Sequence, residues 1–571
     1  MAEFEEVITS TKGKTPGGDR ISYPIIKNLP PTVESRLIRL YNLIFDKGIY
    51  PQNWKNADIV PILKQNKPPD QTSSYRPISL LSCLSKVLEK IIAKRIMWFA
   101  LREKHISPNQ VAFKTGQGTL DILLHFEHYL STALSNRNHV TILGLDFEKA
   151  FDRIGAHVVL RQLKNFQVGK KIYSFVKSFL VNRTFRTKIN NKYSDRVSLY
   201  NGIAQGSPIS VVFFIIAFDE ISQIIKKYNA EHSIYADDVL VFSKSNNFTT
   251  TQTIFSNILN EIYNWSNNSG ANISYEKCHL FHVCRKQTCQ NNYLTYRNHK
   301  IENVNCLKIL GVIFDKTLNF KQHCKHLRKK LNTRLNIVKY LASKHSKVHP
   351  DTLINVTKTL ILSVIDYGLP IYGQCAKSTI ALLAAPYHAA IRRSLRAFPT
   401  TPINNLMAES GLPSIEERIM QSTFRLIHKC FITNNIILYK DMKNITKRTR
   451  KMRRPSTIYN VFQCTKKISI SLNPILTKTA KNPTWLLPSS VFINQLFDYP
   501  KQNTNPLIYR KTFLESQTSW KINGWKFLYT DGSKSDLSTS FAVVTEEGRT
   551  IRSGLHSPTV QFLPPNVLPL T

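Results

Sequence analysis

The chain has 571 residues, 42% of them hydrophobic, and carries 78 Lys and Arg against 37 Asp and Glu, a formal net charge of +41. That size and apolar content exclude a disordered tail and allow several packed domains, and basic residues spread along the whole length favour an extended polyanion contact over a membrane-surface role. Met1, Ala2, Glu3, Phe4, Glu5 and Glu6 do not open a secretory signal, the apolar run Val211 to Phe218 is too short to cross a bilayer, and nine irregularly spaced cysteines offer no disulfide framework, so an intracellular protein with no membrane partner is expected.

In chain order, residues 12–24 form a basic, glycine-rich loop in which Gly13, Lys14 and Thr15 lack the earlier glycine of a phosphate-binding loop. Apolar residues recur at helical spacing from Val33 to Phe45, Ile59 to Leu63 reads as a strand, and Ser85 to Phe99 as a helix with Val87, Leu88, Ile91, Ile92 and Ile96 on one face. Thr141 to Leu145 is a buried-strand pattern that ends on Asp146, followed by a helical pattern over 148–152. Ser207 and Pro208 supply an N-cap and first residue for a helix from Ile209 onward. Ser233 to Phe242 reads as a hairpin with Asp237 and Asp238 at its tip.

Cys278, His279, His282, Cys284 and Cys289 have metal-ligand side chains, but they contain no Cys-x-x-Cys pair and alternate like a strand over 278–280, so a structural reading is preferred to zinc. Leu327, Leu331, Leu335, Val338 and Leu341 make a core stripe bordered by Arg328, Lys329, Lys330, Arg334 and Lys339. Helical patterns continue to about residue 440, and the basic run Lys447 to Arg454 opens a Pro- and Asn-rich linker. Trp525 to Lys534 alternates like a strand and closes on an acid-glycine turn at Asp531 and Gly532.

Adjacent carboxylates repel, so Asp237 and Asp238 at one turn are economical only if cations bind there. With Asp146 at a neighbouring strand end they would form a hard-oxygen site for two Mg²⁺, Mn²⁺ being a possible substitute, as phosphoryl transfer requires. Either feature alone reads as an ordinary cap or turn; the conjunction points to chemistry.

These residues carry a resemblance. Tyr235-Ala236-Asp237-Asp238 between apolar strands resembles the signature hairpin of reverse transcriptases, and other blocks follow in family order: Tyr75-Arg76-Pro77-Ile78-Ser79-Leu80-Leu81 in the fingers, Leu145 to Asp152 in the palm, Gln205-Gly206-Ser207-Pro208, and Leu310-Gly311-Val312 as a primer-grip hairpin. The chain resembles the non-LTR (LINE-like, jockey-type) branch more than retroviral enzymes. Ile203-Ala204 and Ala112-Phe113-Lys114 depart mildly from the Val-Pro and Gly-Phe-Arg common in that family.

The resemblance implies an α+β right-hand polymerase: fingers and an N-terminal extension over 1–140, a palm with a βαββ sheet over 141–320, a helical thumb and connection over 321–440, a basic linker over 441–520, and an incomplete ribonuclease H-like fragment over 521–571. It implies an RNA-directed DNA polymerase acting on RNA template, DNA primer, RNA–DNA hybrid and deoxynucleoside triphosphates, in the nucleus or a cytoplasmic ribonucleoprotein particle. Asp146, Asp237, Asp238 and the Phe147 backbone carbonyl would hold metal. Lys64, Arg76, Phe151, Gln205, Gly206 and Lys277 would bind nucleotide, with Phe151 as steric gate against a 2'-hydroxyl and Lys277 near the departing pyrophosphate.

Asp531 matches the leading carboxylate of ribonuclease H, but Glu546 and Glu547 match none of its other acids and the ending Gln561 to Thr571 is proline-rich. Ribonuclease H activity is therefore expected to be absent, the chain reading as a copy of part of an element, cut short in that domain and without the relatives' upstream endonuclease. A catalytically silent nucleic-acid-binding remnant is the alternative from another functional class.

Overall fold

In a computed structural model, the structure describes residues 1–432 save 14, 66, 191, 246, 285–292 and 344, then 455–467, the strands 528–534, 539–545 and 550–556, and single positions between 438 and 515. Lys14, Cys289, the basic run 447–454, Trp525, Glu546, Glu547 and the proline-rich end lie outside the described residues, as does the side chain of Asp531. The chain divides into one compact unit over 1–479 and a second over 480–571.

Strands β1 (Asn56–Leu63) and β2 (Tyr75–Leu80) pair antiparallel. Beyond the next long helix, Cys83–Arg102, and a second, Thr119–Ser135, comes β3 (His139–Leu145), an inner strand of a four-stranded sheet. The pattern over 148–152 resolves differently from the helix expected there. Phe147–Glu148 is a short strand, β4, and Lys149 takes a left-handed backbone (φ 45°) that delays the helix to Ala150–Arg153. Next come β5 (Arg183–Ile189), β6 (Lys192–Tyr193) and β7 (Val197–Leu199). β5 runs parallel to β1, so residues from the stretch read as palm complete the sheet begun at residue 56.

The helix Pro208–Lys227 starts where the Ser-Pro signal puts it, although the Ser207 hydroxyl donates to Glu89 and caps nothing. Among the described residues it is the one helix long and apolar enough to cross a membrane, but 72% of its apolar window is buried inside the protein, where it is the central core helix. β8 (Glu231–Tyr235) and β9 (Asp238–Ser245) follow as the expected hairpin, then the helix Phe248–Ser269, β10 (Asn272–Ile273) and β11 (His279–Val283). β12 (Tyr293–Tyr296) with β13 (His299–Glu302), and β14 (Cys306–Ile309) with β15 (Val312–Asp315), are two small hairpins before the basic helix Lys321–Leu341.

The four-stranded sheet is antiparallel in the order β11-β3-β9-β8, so β11 adds a fourth strand to the βαββ expected from sequence. Period-two alternation assigns each residue of β3 to a face. Leu143 and Leu145, with Val239 and Val241, face a core built on the helices Cys83–Arg102, Pro208–Lys227 and Phe248–Ser269. Val140 and Ile142, with Leu240 and Phe242, face a second core that takes in Thr119–Ser135, the β14–β15 hairpin and the helices after residue 321.

In the second unit, Leu528–Lys534, Thr539–Thr545 and Thr550–His556 form a three-stranded antiparallel sheet. The first strand runs straight through Asp531 and Gly532, paired with Ala542 and Phe541, so the turn expected at these two residues is absent.

Candidate active site

β3 and β9 pair in a register that ends at Leu145 opposite Val239, which sets Asp146 across from Asp238 one step beyond. Both belong to the alternation that faces the β14–β15 side of the sheet, whereas a slip by one residue would bury one of them in the opposite core. Ala236, left-handed at φ 56°, and Asp237 make the two-residue turn between Tyr235 and Asp238. Three acids from two distant segments thus converge on one sheet edge.

That edge floors a cleft of about 320 Å³ lined by Asp146, Tyr235, Asp238, Lys277, His279 and the β14–β15 turn residue Leu310. The Tyr367 hydroxyl donates to the Leu310 carbonyl, and Gly311 at φ 88° closes the turn beside it, so the expected primer-grip hairpin does meet the acids.

The electrostatics are those of a crowded anionic site. Burial, then the charge of Asp146, push the Asp237 carboxyl up, while Arg76 and Lys277 pull it partly back. Asp238 is pushed up to about 6 by desolvation and by its neighbours Asp237 and Asp146. Lys277 Nζ lies 3.3 Å from Asp146 Oδ1, an ion pair at a position where an isolated lysine would read as solvated. Hard oxygens held together against their own repulsion fit a divalent cation, which would relieve it.

The backbone at Phe147 suits the same role. The Ser274 N–H donates to the Asp146 carbonyl at 2.9 Å, and antiparallel alternation then leaves the next pair, Phe147 and Ile273, without mutual hydrogen bonds. The Phe147 carbonyl is accordingly turned away from β10.

The residues expected to bind nucleotide lie in different settings. Arg76, exposed on β2, and Lys64, just past β1, act on the acids at a distance: Arg76 lowers Asp237 and Lys64 lowers Asp152. Lys64 Nζ donates to the Ser73 carbonyl at 2.9 Å. Phe151 stacks on Phe214 with centroids 4.0 Å apart and planes 6° from parallel, half-buried. The ring thus packs against the core through Phe214.

Gln205 donates from its side-chain amide to Asp152 at 2.7 Å, and its carbonyl accepts from the Ser79 N–H at 2.7 Å. Gly206 has φ 118°, and a Cβ there would lie 2.6 Å from the Ser79 carbonyl oxygen. The close backbone approach that needs glycine is thus to the first sheet, which couples Gln205-Gly206 to β2. Asp531 lies in the second unit, within the strand Leu528–Lys534.

Sequence reasoning passed over Asp152 and Glu89. Glu89 is fully buried and accepts from the hydroxyls of Tyr50, at 2.7 Å, and Ser207, pinning the start of the core helix. An acid inside the apolar stripe Val87, Leu88, Ile91, Ile92 was the available signal.

Residues 62–314, which hold the cleft and all three acids, match the family described as reverse transcriptase (RNA-dependent DNA polymerase). They are a reverse transcriptase domain. The chain is 26% identical over 451 residues to the RNA-directed DNA polymerase from mobile element jockey of Drosophila melanogaster, covering 77% of this chain and 49% of that protein. It is 24% identical over 438 residues to a probable RNA-directed DNA polymerase from transposon BS of the same fly, covering 74% and 48%. The chain spans about half the length of these curated relatives. An apo telomerase of Candida tropicalis aligns over 79% of this chain and 72% of its own at 12% identity and a TM-score of 0.36, which leaves the assignment to the sequence matches. Reverse transcriptases generally work with divalent metal ions, in keeping with the acidic cleft of this domain.

Proposed function

We propose that this chain is an RNA-directed DNA polymerase of a non-LTR retrotransposon, extending a DNA primer on an RNA template with deoxynucleoside triphosphates. The observation that carries the proposal is the convergence of Asp146, Asp237 and Asp238 at one sheet edge inside a reverse transcriptase domain. Two Mg²⁺ ions, when bound, would supply activation of the primer 3'-hydroxyl and stabilisation of the leaving pyrophosphate oxygen. Asp146, Asp237 and Asp238 would hold them with the Phe147 carbonyl, and Mn²⁺ would fit the same oxygen donors.

The chain's own groups do the rest. The Arg76 guanidinium and Lys64 would grip the triphosphate, the planar fork suiting a bidentate hold. The Phe151 ring, backed by Phe214, is braced to crowd a 2'-hydroxyl. Gln205 and Gly206, tied to Asp152 and Ser79, would support the sugar and templating base. Lys277 sits at Asp146 and can hand its ammonium proton to the leaving group. Positioning and electrostatics supply most of the catalysis expected in phosphoryl transfer.

The division into fingers, palm, thumb, linker and ribonuclease H-like fragment belongs to the same proposal, as do nuclear or ribonucleoprotein localisation and the lack of RNA-strand cleavage. Purified chain given Mg²⁺, RNA template, DNA primer and deoxynucleotides is expected to extend the primer. Salt-dependent RNA binding with extension no greater than that of an Asp237→Asn, Asp238→Asn control would instead select a silent binding remnant.

A further inference from the structure

At the end of β3 remote from the acids, side chains from two segments distant in sequence meet. In the β3–β11 register His282 lies opposite Thr141, and alternation puts His139, Thr141, His282 and Cys284 on one face of the sheet. That face carries Leu143 and Leu145 and packs under the helix Phe248–Ser269, whose Phe248 ring meets His282 edge-on at 5.4 Å. Both imidazoles are buried, at 6% and 2% exposure, and Cys284 is half-buried.

The ligand atoms of His139, His282 and Cys284 all lie within 4.8 Å of one another, the one such group of three His, Cys, Asp or Glu among the described residues. His139 Nδ1 and His282 Nε2 are 3.4 Å apart. That is long for a hydrogen bond, but it is the separation of two nitrogens bound about 2.1 Å from one tetrahedral Zn²⁺, roughly 3.4 Å. The other His282 nitrogen, Nδ1, is 2.8 Å from the Thr141 hydroxyl. A bond from Nδ1–H to that oxygen fixes the tautomer that leaves Nε2 with its lone pair, the outer-shell support usual for metal-bound histidine.

We propose that His139, His282 and Cys284 form a zinc site that clamps the start of β3 to the end of β11, with water in the fourth position. Two imidazoles and a thiolate are the soft and borderline donors zinc takes in preference to Mg²⁺. Ligation needs a neutral imidazole, and burial is the main influence that disfavours the charged form of His282. Sequence showed two of these ligands among Cys278, His279 and Cys289; the third comes from a strand 143 residues earlier. Cys278 and His279 take no part: the thiol donates to the Ser274 carbonyl, and His279 lines the acidic cleft.

The test uses the full chain, purified without chelator and with Mg²⁺ in excess to fill the acidic cleft. Elemental mass spectrometry is expected to find about one zinc per chain, reduced at least about fivefold in Cys284→Ser and in His282→Ala and unchanged in Cys306→Ser. Cobalt replacing zinc should give a thiolate-to-metal charge-transfer band that Cys284→Ser abolishes. Because Cys284 is half-buried and serine nearly isosteric, that variant keeps its fold and the readout stands without activity. Wild-type chain that takes up neither zinc nor cobalt at about 10 µM would overturn the proposal. So would metal retained by the Cys284→Ser, His282→Ala double variant.

Discussion

The two ends of β3 present opposite chemistry. Asp146, at one end, lies beside two more carboxylates, both made less willing to ionise by burial and by its charge, and it pairs with the ammonium of Lys277. His139, seven positions away and so roughly 23 Å along the strand, sits among buried neutral rings with a hydroxyl fixing the tautomer of its neighbour. An exchangeable hard cation suits the first end, because repulsion between carboxylates is relieved only while it is bound. A permanent ion of the zinc type suits the second, where donors are desolvated before any metal arrives.

Several experiments would break or sharpen this contrast. The largest effect is expected from Asp237→Asn, which removes a cleft carboxylate and should lower primer extension by at least about 10³-fold while leaving RNA affinity within about twofold. Extension kept within about tenfold of wild type would remove the acidic end from the chemistry. Phe151→Val should relax discrimination against ribonucleotides by about 10²-fold in kcat/KM ratios. If the ratio does not move, the ring belongs to the core stacking with Phe214 alone. Arg76→Ala should raise KM for deoxynucleotide by about 10-fold with a smaller change in kcat, the loss expected of one charged hydrogen-bonding partner.

The smallest effect is one of stability. In chelator, Asp238→Asn is expected to raise Tm by about 2 °C at neutral pH, a modest gain because the carboxylate reaches water and is screened. The sign follows from a folded-state pKa of about 6 against the ordinary carboxylate value of 3.8. Protonated Asp238 costs the fold nothing at low pH, and stability is lost as pH rises from about 4 through about 6. The asparagine advantage should therefore appear above pH 6 and vanish near pH 4. An advantage of the same size at both pH values would mean that charge repulsion is not its source.

Much of this was legible in the residues. The strand into Asp146, the Tyr235–Asp238 hairpin and the Ser-Pro helix start depend on local pattern and appear where pattern puts them, and the Leu310-Gly311 turn appears where the family resemblance put it. Legibility failed where a partner strand decided the outcome. Residues 148–152 have helical spacing, but pairing of Glu148 with Asn272 and a left-handed Lys149 cut the helix to four residues. Asp531-Gly532 has turn composition, yet pairing with Ala542 and Phe541 carries the strand through it. Glycine at 206 was readable as a close approach, but not that Ser79 is what it approaches.

The sequence by itself determined the elements, the three acids and the family they resemble, because hydrophobic period, caps and short motifs act over a few residues. Only the tertiary structure decided that β11 joins β3, that β5 joins β1, and that His139 meets His282 and Cys284. Pairing register brings together positions more than a hundred residues apart, and no local signal encodes which strand edge a chain will meet.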